Sequence, residues 1–368
     1  MGTRIHCIVG ARPNFVKIGP IWRALARHAR IETRLIHTGQ HYDSRMSRAF
    51  FEDLAIPEPD RHLEVGSGSH AAQTARIMER YEPVLLEERP ALVLVVGDVN
   101  STLAASLVAS KLGVAVAHVE AGLRSFDRTM PEEINRILTD AIADHLFITC
   151  RDAAENLRAE GIAPERIHFV GNVMIDALLE SLPLAAQRDA PARFGLAGKP
   201  YAVATIHRPS NVDERAGLER VIAILHGVAA MLPVVFPVHP RTEARAEELG
   251  MAGALRGVPG LTVTPPQRYL EFQDLMRQAH LVLTDSGGIQ EETTVLGIPC
   301  LTLRPNTERP ITVTQGTNRV VGTDPATVVA AAREAFERPR PEATPRIELW
   351  DGHAAERIAA ILDGILAG

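Results

Sequence analysis

Acidic residues lie at predicted strand or loop ends at several points in the first half of the chain. They are Asp98 in "VVGDVNSTLA", Glu120 in "AHVEAGLR", and Glu132 with Glu133 in "MPEEINR". A carboxylate at the end of a buried strand must be paired or functional to offset its desolvation. Acids that converge on one site predict proton-transfer chemistry. The structural alternative pairs Glu120 with Arg124 and makes Glu132 and Glu133 ordinary acids of a helix's first turn.

The segment "DSGGIQEE", residues 285–292, follows the apolar run "LVLT" and predicts a helix N-terminus that binds phosphate. Backbone N–H groups at such a terminus lack helical partners, and Gly287 and Gly288 keep the approach open. With Ser286 as N-cap, the third helical position is Ile289, so a capping box does not explain the two glutamates. A carboxylate one turn into the helix can bind the two hydroxyls of a ribose. The alternative is a strand–Gly–Gly–helix turn with only a structural role.

Basic residues and histidines also lie at predicted strand ends. Arg12 and Lys17 in "GARPNFVK" surround a helix start, where they could complement a diphosphate or lie on a solvated surface. His207 in "ATIHRPSNVD" and His239 in "FPVHPRT" follow apolar runs and could contact phosphate or sugar, or be structural.

Metal and dinucleotide motifs are missing from the sequence. No HExxH-like spacing indicates a metal, and no GxGxxG fingerprint indicates a nicotinamide cofactor. Cys7, Cys150 and Cys300 are too far apart for a CxxC site. We therefore expect neither a metal nor a cofactor.

The elements that must position these residues alternate between strands and helices. The run "NFVKIGPIWRALAR" has a helical apolar face, with Pro13 suited to its first turn. Continuous apolar strands separated by helices predict an α/β fold with parallel sheets covered on both faces. The predicted strands are "RIHCIVG", "ALVLVV", "VAVAHVE", "YAVATI", "VVFPVH", "LTVTPP", "LVLTD" and "PCLTL".

A length of 368 residues, of which 46% are hydrophobic, predicts two domains. We expect a Rossmann-like domain with the acids at 1–180 and a second Rossmann-like domain at 181–350, with a ligand cleft between them. The Pro/Ala-rich stretch "SLPLAAQRDAPARFGLAGKP" is the predicted linker. The helical stretch 351–368 could pack on either half, including back on the N-terminal domain.

Charge and hydropathy limit the partners. A net charge of −6 and the lack of a long Lys/Arg run argue against nucleic acid. The sequence has neither a signal-peptide pattern nor a stretch of about 20 apolar residues. The expectation is a cytoplasmic protein without a membrane partner.

Together the motifs resemble the non-hydrolysing UDP-N-acetylglucosamine 2-epimerases. The resemblance runs from about residue 5 to about 325 and implies two Rossmann-like domains as in GT-B glycosyltransferases. It also implies a UDP-sugar substrate, a homodimer and a place in cell-surface polysaccharide biosynthesis, without metal or NAD. The matching segments are "GARPNFVK", "TGQHYD", "GDVNSTLA", "VEAGLRSFDRTMPEEINRILTD", "GNVMIDAL", "HRPSNVD", "HPRT", "DSGGIQEE" and "TERP".

The resemblance also implies roles for individual residues. In the first half, Arg12 and Lys17 would face the ligand, and the catalytic acids would be Asp98, Glu120 and Glu132. In the second half it implies a uridine site at Gln267 and Phe272, a diphosphate site at Ser286, Gly287, Gly288 and Arg309, a ribose contact at Glu292, and a catalytic or phosphate-contacting role for His207.

Two departures from the family pattern concern substrate and regulation. "HRPSN" replaces an "HRREN"-like stretch, and "GARPNF" is similar to relatives that epimerise a UDP-2,3-diacetamido-uronic acid. A hydrolysing epimerase and a GT-B glycosyltransferase are further alternatives.

Bacterial relatives use a second substrate molecule as activator, near residues that correspond to Gln40, His41 and Pro209. Because Asp43 and Pro209 suit a diphosphate poorly, we expect activation by substrate to be weak or absent.

Overall fold

The computed structural model describes residues 2–39, 53–54, 56–338 and 344–367. The chain forms two compact units: Met1–Glu180 with Glu348–Gly368, and Ser181–Ile347. Each unit contains one sheet, and all strand pairs in both sheets are parallel. Within the described residues, no helix is both long enough and apolar enough to cross a bilayer.

The first unit has a seven-stranded sheet in the order β3-β2-β1-β4-β5-β6-β7. The chain reverses its direction of winding between the neighbours β1 and β4, which is where ligands bind in open α/β sheets. The strands are β1 Thr3–Val9, β2 Ile31–His37, β3 Arg61–His62, β4 Leu92–Val96, β5 Ala115–Ala121, β6 His145–Ile148 and β7 Ile167–Phe169.

Helices cover this sheet, and their first turns follow ordinary capping chemistry. Pro13 lies in the first turn of α1, where its missing N–H costs nothing. The Ser69 side chain accepts a hydrogen bond from Ala72 N at the start of α2. The helices are α1 Arg12–Leu25, α2 His70–Glu88, α3 Asn100–Lys111, α4 Pro131–Ile142, α5 Arg151–Ala159 and α6 Val173–Ala185.

The second unit repeats the plan with six strands in the order β10-β9-β8-β11-β12-β13. Its reversal point lies between β8 and β11. The strands are β8 Ala202–Thr205, β9 Val234–Pro237, β10 Leu261–Thr264, β11 Leu281–Thr284, β12 Cys300–Thr302 and β13 Asn318–Val320. The helices are α7 Pro209–Val212, α8 Arg215–Ala229, α9 Pro240–Glu248, α10 Ala252–Arg256, α11 Tyr269–Gln278, α12 Gly287–Leu296, α13 Pro310–Thr314 and α14 Pro325–Glu337.

The predicted α/β class with parallel sheets is confirmed. Strands β4 and β11 are buried along their whole length, as expected for strands covered on both faces.

The predicted linker starts too early, because Ser181 to Ala185 form the end of α6. Ala185 is fully buried, so packing extends this helix past Pro183.

The last helix, α15 (Ala354–Ile365), belongs to the first unit and packs on α1. Arg27, two residues after the end of α1, pairs with Glu356 on α15 at 2.8 Å. Buried Asp176 on α6 accepts hydrogen bonds from Ala354 N at 3.2 Å and Ala355 N at 2.6 Å. This carboxylate binds the free N–H groups of the helix's first turn.

The segment that leads into α15 makes a close backbone contact that predicts a large mutational effect. Gly171 has φ +91°, and a Cβ there would lie 2.0 Å from the carbonyl oxygen of Leu349. Gly161 is a matched control, with φ +85° and no described atom within 4 Å of its Cβ position. We expect Gly161→Ala to lower the free energy of unfolding by about 1–2 kcal/mol through backbone strain. Gly171→Ala should cost clearly more. Urea denaturation measures both, and equal losses would contradict the steric argument.

Candidate functional site

In the first unit, Asn14 fixes the start of α1 at the reversal point. Its Nδ2 donates to the carbonyl of Val96 at 2.8 Å, and its Oδ1 accepts from Ala11 N at 2.9 Å. The side chain is 2% exposed. Asn14 therefore ties the first turn of α1 to the end of β4 and sets the position of Lys17, one turn further on.

Lys17 and Glu120 form a buried ion pair between α1 and β5. They are 7% and 3% exposed. A Cβ at Gly97 would lie 3.0 Å from Lys17 Nζ and 3.2 Å from Glu120 Oε2, so the backbone before Asp98 runs directly beside the pair. Two predicted site residues thus meet at the carboxyl ends of β4 and β5, with Asp98 next to them in the chain.

The backbone of Glu120 is unusual. Its φ is +73°, and the register between β5 and β6 shifts between Val119 and Ala121. A bulge redirects a side chain, and a left-handed non-glycine residue stores strain that the surroundings must enforce. The alternative pairing with Arg124 is wrong, because Arg124 binds Asp140 at 2.7 Å and Glu160 at 2.6 Å.

A buried His118–Asp140 pair supports the bulge. His118 Nδ1 lies 2.6 Å from Asp140 Oδ1, and its Nε2 lies 2.9 Å from the Gly97 carbonyl oxygen. Asp140 also accepts from Gly122 N at 3.0 Å. Burial alone would raise the pKa of Asp140, but His118 and Arg124 outweigh it and hold that pKa below its ordinary value. The loop on each side of Glu120 is therefore anchored by charge-assisted hydrogen bonds.

Arg136, on α4, connects two further acids of the first unit, Asp98 and Glu133. Its guanidinium binds Asp98 at 2.5 Å and Glu133 at 2.6 Å. Glu133 also accepts from the backbone N–H groups of Ser125 and Phe126, at 3.0 and 2.9 Å. Burial acts to raise the pKa of Glu133, but these amides and Arg136 lower it overall.

The two neighbouring glutamates of α4 thus differ in their surroundings. Glu133 is buried and fixed by its donors, whereas Glu132 is half-buried in the first turn. Arg136 was not predicted as a site residue, although its spacing of three residues from Glu133 is typical of a helical ion pair.

Some predicted positions cannot be placed. The backbone of Arg12 begins α1, and its side chain lies outside the described part of the structure. Gln40, His41 and Asp43 also lie outside the described residues. Pro209 is the first residue of α7.

In the second unit, Asp285 organises the reversal point between β8 and β11. This fully buried carboxylate accepts from His207 N at 3.0 Å, Arg208 N at 2.9 Å and Asn211 Nδ2 at 2.9 Å. His207 Nδ1 lies 3.2 Å from Asp285 Oδ1, which orients a half-buried ring. The ring centroid of His239 lies 5.3 Å away, and His239 caps α9 by accepting from a backbone N–H. Asp285 and Asn211 were not among the predicted site residues.

Helix α12 begins at Gly287, directly after Ser286, and the Ser286 side chain does not cap it. A Cβ at Gly287 would lie 2.7 Å from Glu308 Oε1 and 3.6 Å from the guanidinium carbon of Arg309. Glu308 is held by Arg304 at 2.7 Å and Arg208 at 3.3 Å. The start of α12 therefore lies beside the Glu308 carboxylate and the arginines that bind it, so negative charge already occupies this helix N-terminus.

Arg309 makes a second contact on α12, because its Nε lies 2.7 Å from Glu291 Oε1. The two adjacent glutamates of "QEE" therefore differ: Glu291 pairs with a cation, while Glu292 contacts an amide. Gln273 Nε2 donates to Glu292 Oε1 at 2.8 Å. Burial, with a smaller contribution from Glu291, raises the pKa of Glu292 to about 8 despite the Gln273 hydrogen bond.

The predicted uridine residues lie before and on α11. Gln267 is partly buried, and its Nε2 contacts Thr264 Oγ1 and the Pro265 carbonyl, both at 2.8 Å. Phe272 is partly buried and packs on the core of the second unit. In the described part of the chain, no three His, Cys, Asp or Glu side chains come close enough together to hold a metal ion.

Known proteins resemble the chain over nearly its whole length. A family model described as UDP-N-acetylglucosamine 2-epimerase matches residues 23–363. The UDP-N-acetylglucosamine 2-epimerase of Methanocaldococcus jannaschii is 42% identical over 367 residues, which cover 98% of each chain. The UDP-2,3-diacetamido-2,3-dideoxy-D-glucuronate 2-epimerase of Pseudomonas aeruginosa is 43% identical over 337 residues, covering 90% of this chain and 92% of the relative.

A solved structure extends the likeness to three dimensions. The crystal structure of the Methanocaldococcus jannaschii enzyme in complex with UDP-GlcNAc and UDP matches with a TM-score of 0.92 at 42% identity, covering 98% of this chain and 99% of that one. The resemblance predicted from the motifs is confirmed by the family model and by these relatives. The chain belongs to the UDP-N-acetylglucosamine 2-epimerase family.

Proposed function

We propose that this protein is an isomerase that reversibly inverts C2 of UDP-N-acetylglucosamine to give UDP-N-acetylmannosamine. The observation that carries the proposal is the buried Glu120, held in a strained bulge beside Lys17. Strain and burial at a carboxylate are typical of a group positioned for proton transfer. Family membership supplies the substrate class.

The chemistry explains why proton-transfer groups and a diphosphate site are both needed. The C2–H bond of an N-acetylhexosamine is not next to a carbonyl, so a carboxylate cannot readily remove the proton. When the C1–O bond breaks, its electron pair leaves with UDP, and the electron-poor C1 acidifies C2–H. A carboxylate then takes the proton, and C1=C2 forms in a glycal. Re-protonation on the other face and return of UDP complete the inversion.

The first unit supplies the proton-transfer groups in this scheme. Glu120, Asp98 and Glu132 serve the two faces of C2, and Lys17 faces the departing diphosphate. The contact of Asp98 with Arg136 and the ion pair of Glu120 with Lys17 support these roles, because each fixes a carboxylate in one orientation.

The second unit supplies the nucleotide groups. Ser286, Gly287, Gly288 and Arg309 bind the diphosphate together with Arg12, and the leaving group is stabilised by the N–H groups of α12. His207, oriented by Asp285, contacts the phosphate or takes part in catalysis. Glu292 binds the ribose diol, and the uracil lies at Gln267 and Phe272.

We further propose a cytoplasmic homodimer that serves cell-surface polysaccharide biosynthesis. The family resemblance is the main support. On α4, Ile134 and Leu138 lie one turn apart and are 41% and 46% exposed, which gives the first unit an apolar strip suited to self-association.

Isotope exchange tests the proposed reaction. With UDP-N-acetylglucosamine in deuterated water, we expect an equilibrium mixture of both epimers carrying deuterium at C2, because the C2 proton exchanges with solvent. NMR of the products measures this, and product without deuterium would contradict the route. A parallel incubation with the UDP-2,3-diacetamido-uronic acid tests the substrate of the Pseudomonas relative. Faster turnover of that sugar would replace the proposed substrate but keep the reaction.

Removing the proton-transfer group separates catalysis from binding. Glu120→Gln should lower kcat by about 10²–10⁴-fold, since a positioned acid or base typically contributes that much. UDP affinity should change little, because the groups proposed to bind the uracil, the ribose and most of the diphosphate are in the second unit. Steady-state kinetics and calorimetric UDP titration measure the two quantities, and the exposed Glu155→Gln on α5 is the control. Normal turnover of Glu120→Gln would exclude the assignment.

The burial of Glu292 predicts a pH-dependent stability. This carboxyl has a pKa of about 8 when folded and an ordinary value of 4.5. The folded protein therefore holds an extra proton between these values and loses stability as pH rises, by about 1.4 kcal/mol per unit. Glu292→Gln cannot ionise, so its Tm relative to the wild type should increase from pH 5 to pH 8. Scanning calorimetry without nucleotide measures this, with exposed Glu219→Gln as control. A difference that does not vary with pH would refute the prediction.

A further inference from the structure

Gln273 and its neighbour Asp274 are buried polar residues on α11. Their neighbours on the helix, Leu275 and Met276, are fully buried members of the second unit's core, and Gln273 itself is 1% exposed. Burying an amide without partners costs several kcal/mol, so an apolar residue would be expected at this position. Packing alone therefore does not explain why an amide is buried at this position.

The amide is directed at Glu292. Its Nε2 donates to Glu292 Oε1 at 2.8 Å, and this is a hydrogen bond between two buried side chains of neighbouring helices. A glutamate has three rotatable side-chain bonds, and a donor on the facing helix restricts them to one orientation. The neighbouring Glu291 is directed elsewhere, to Arg309.

The other half of the same amide lacks a partner. Gln273 Oε1 is buried and accepts no hydrogen bond from the residues that the structure describes. Nearly all buried polar atoms are satisfied in native proteins, so an unsatisfied acceptor beside a carboxyl indicates a partner that arrives with a ligand. Hydroxyl groups are the donors that suit an amide oxygen and a carboxyl together.

We infer that Gln273 is a positioning residue that holds Glu292 for a vicinal diol and so makes binding depend on the ribose hydroxyls. The inference rests on the proposed function, in which Glu292 binds the nucleotide ribose. Phe272, the proposed uracil contact, precedes Gln273 on α11, so one helix positions both the base and the sugar of the nucleoside.

The test compares two nucleotides that differ only in the diol. UDP and 2′,3′-dideoxy-UDP are titrated calorimetrically into the full-length protein and into Gln273→Met, which keeps the side-chain length and removes the amide. Gln273→Leu is a second variant in case methionine repacks. Gln278→Leu is the matched control, because Gln278 is on the same helix but donates to Asp274 Oδ1 at 2.9 Å.

The wild type should bind UDP at least about tenfold more tightly than the dideoxy nucleotide, since the hydrogen bonds that the two ribose hydroxyls make with Glu292 and Gln273 together contribute about that much. In both Gln273 variants UDP affinity should fall about tenfold and dideoxy affinity less than about threefold, so that the preference nearly disappears. Gln278→Leu should keep both affinities.

Other outcomes overturn the inference in distinguishable ways. Equal losses for both nucleotides in the Gln273 variants would mean that Gln273 only supports the fold, and unchanged affinities would mean that it has no role. Either result leaves the proposed function intact as long as the wild type binds UDP. A wild type that does not bind UDP would overturn the proposed function and, with it, this inference.

Discussion

The desolvation of carboxylates is the constraint on which both units depend. Parallel sheets buried on both faces leave little water at their carboxyl ends, and acids placed there must find donors inside the protein. Asp140 and Glu133 are held by cations and backbone amides, and Asp285 accepts hydrogen bonds from two backbone N–H groups and the Asn211 amide. Glu120 pairs with Lys17, whereas Glu292 accepts a hydrogen bond from the Gln273 amide, and burial raises its pKa to about 8. The number and charge of the donors therefore separate acids that stabilise the fold from acids suited to a reaction or a ligand.

The class of the fold could be predicted because its signal is local. Short apolar runs rich in Val and Leu, such as "LVLVV" and "LVLT", are typical of covered strands when helical patterns separate them. The start of α12 at Gly287 could also be predicted, because the Ser286 and glycine signals lie within three residues. The end of α6 could not, since Pro183 suggests a break while the burial of Ala185 maintains the helix.

Partners of site residues were harder to predict, because they come from distant parts of the chain. Lys17 and Glu120 are 103 positions apart, and neither sequence segment contains a signal that predicts the other as its partner. The nearer candidate, Arg124, is taken by Asp140 and Glu160. The left-handed backbone at Glu120 could not be predicted from the sequence for the same reason. The hydrogen bonds around the bulge enforce it, and the residue type does not. The resemblance to a known family predicted the roles of individual site residues, which the local sequence patterns alone did not predict.

The return of α15 to the first unit has a consequence for synthesis. Residues 348–365 complete a unit that starts at the N-terminus, and the second unit lies wholly between its two parts. On the ribosome, all residues of the second unit emerge before the helix that covers α1 has been made. The usual order, in which an N-terminal domain folds first, is therefore reversed for the final packing step. The apolar face of α1 that will bind α15 stays uncovered throughout elongation, and chaperones have that time to recognise it.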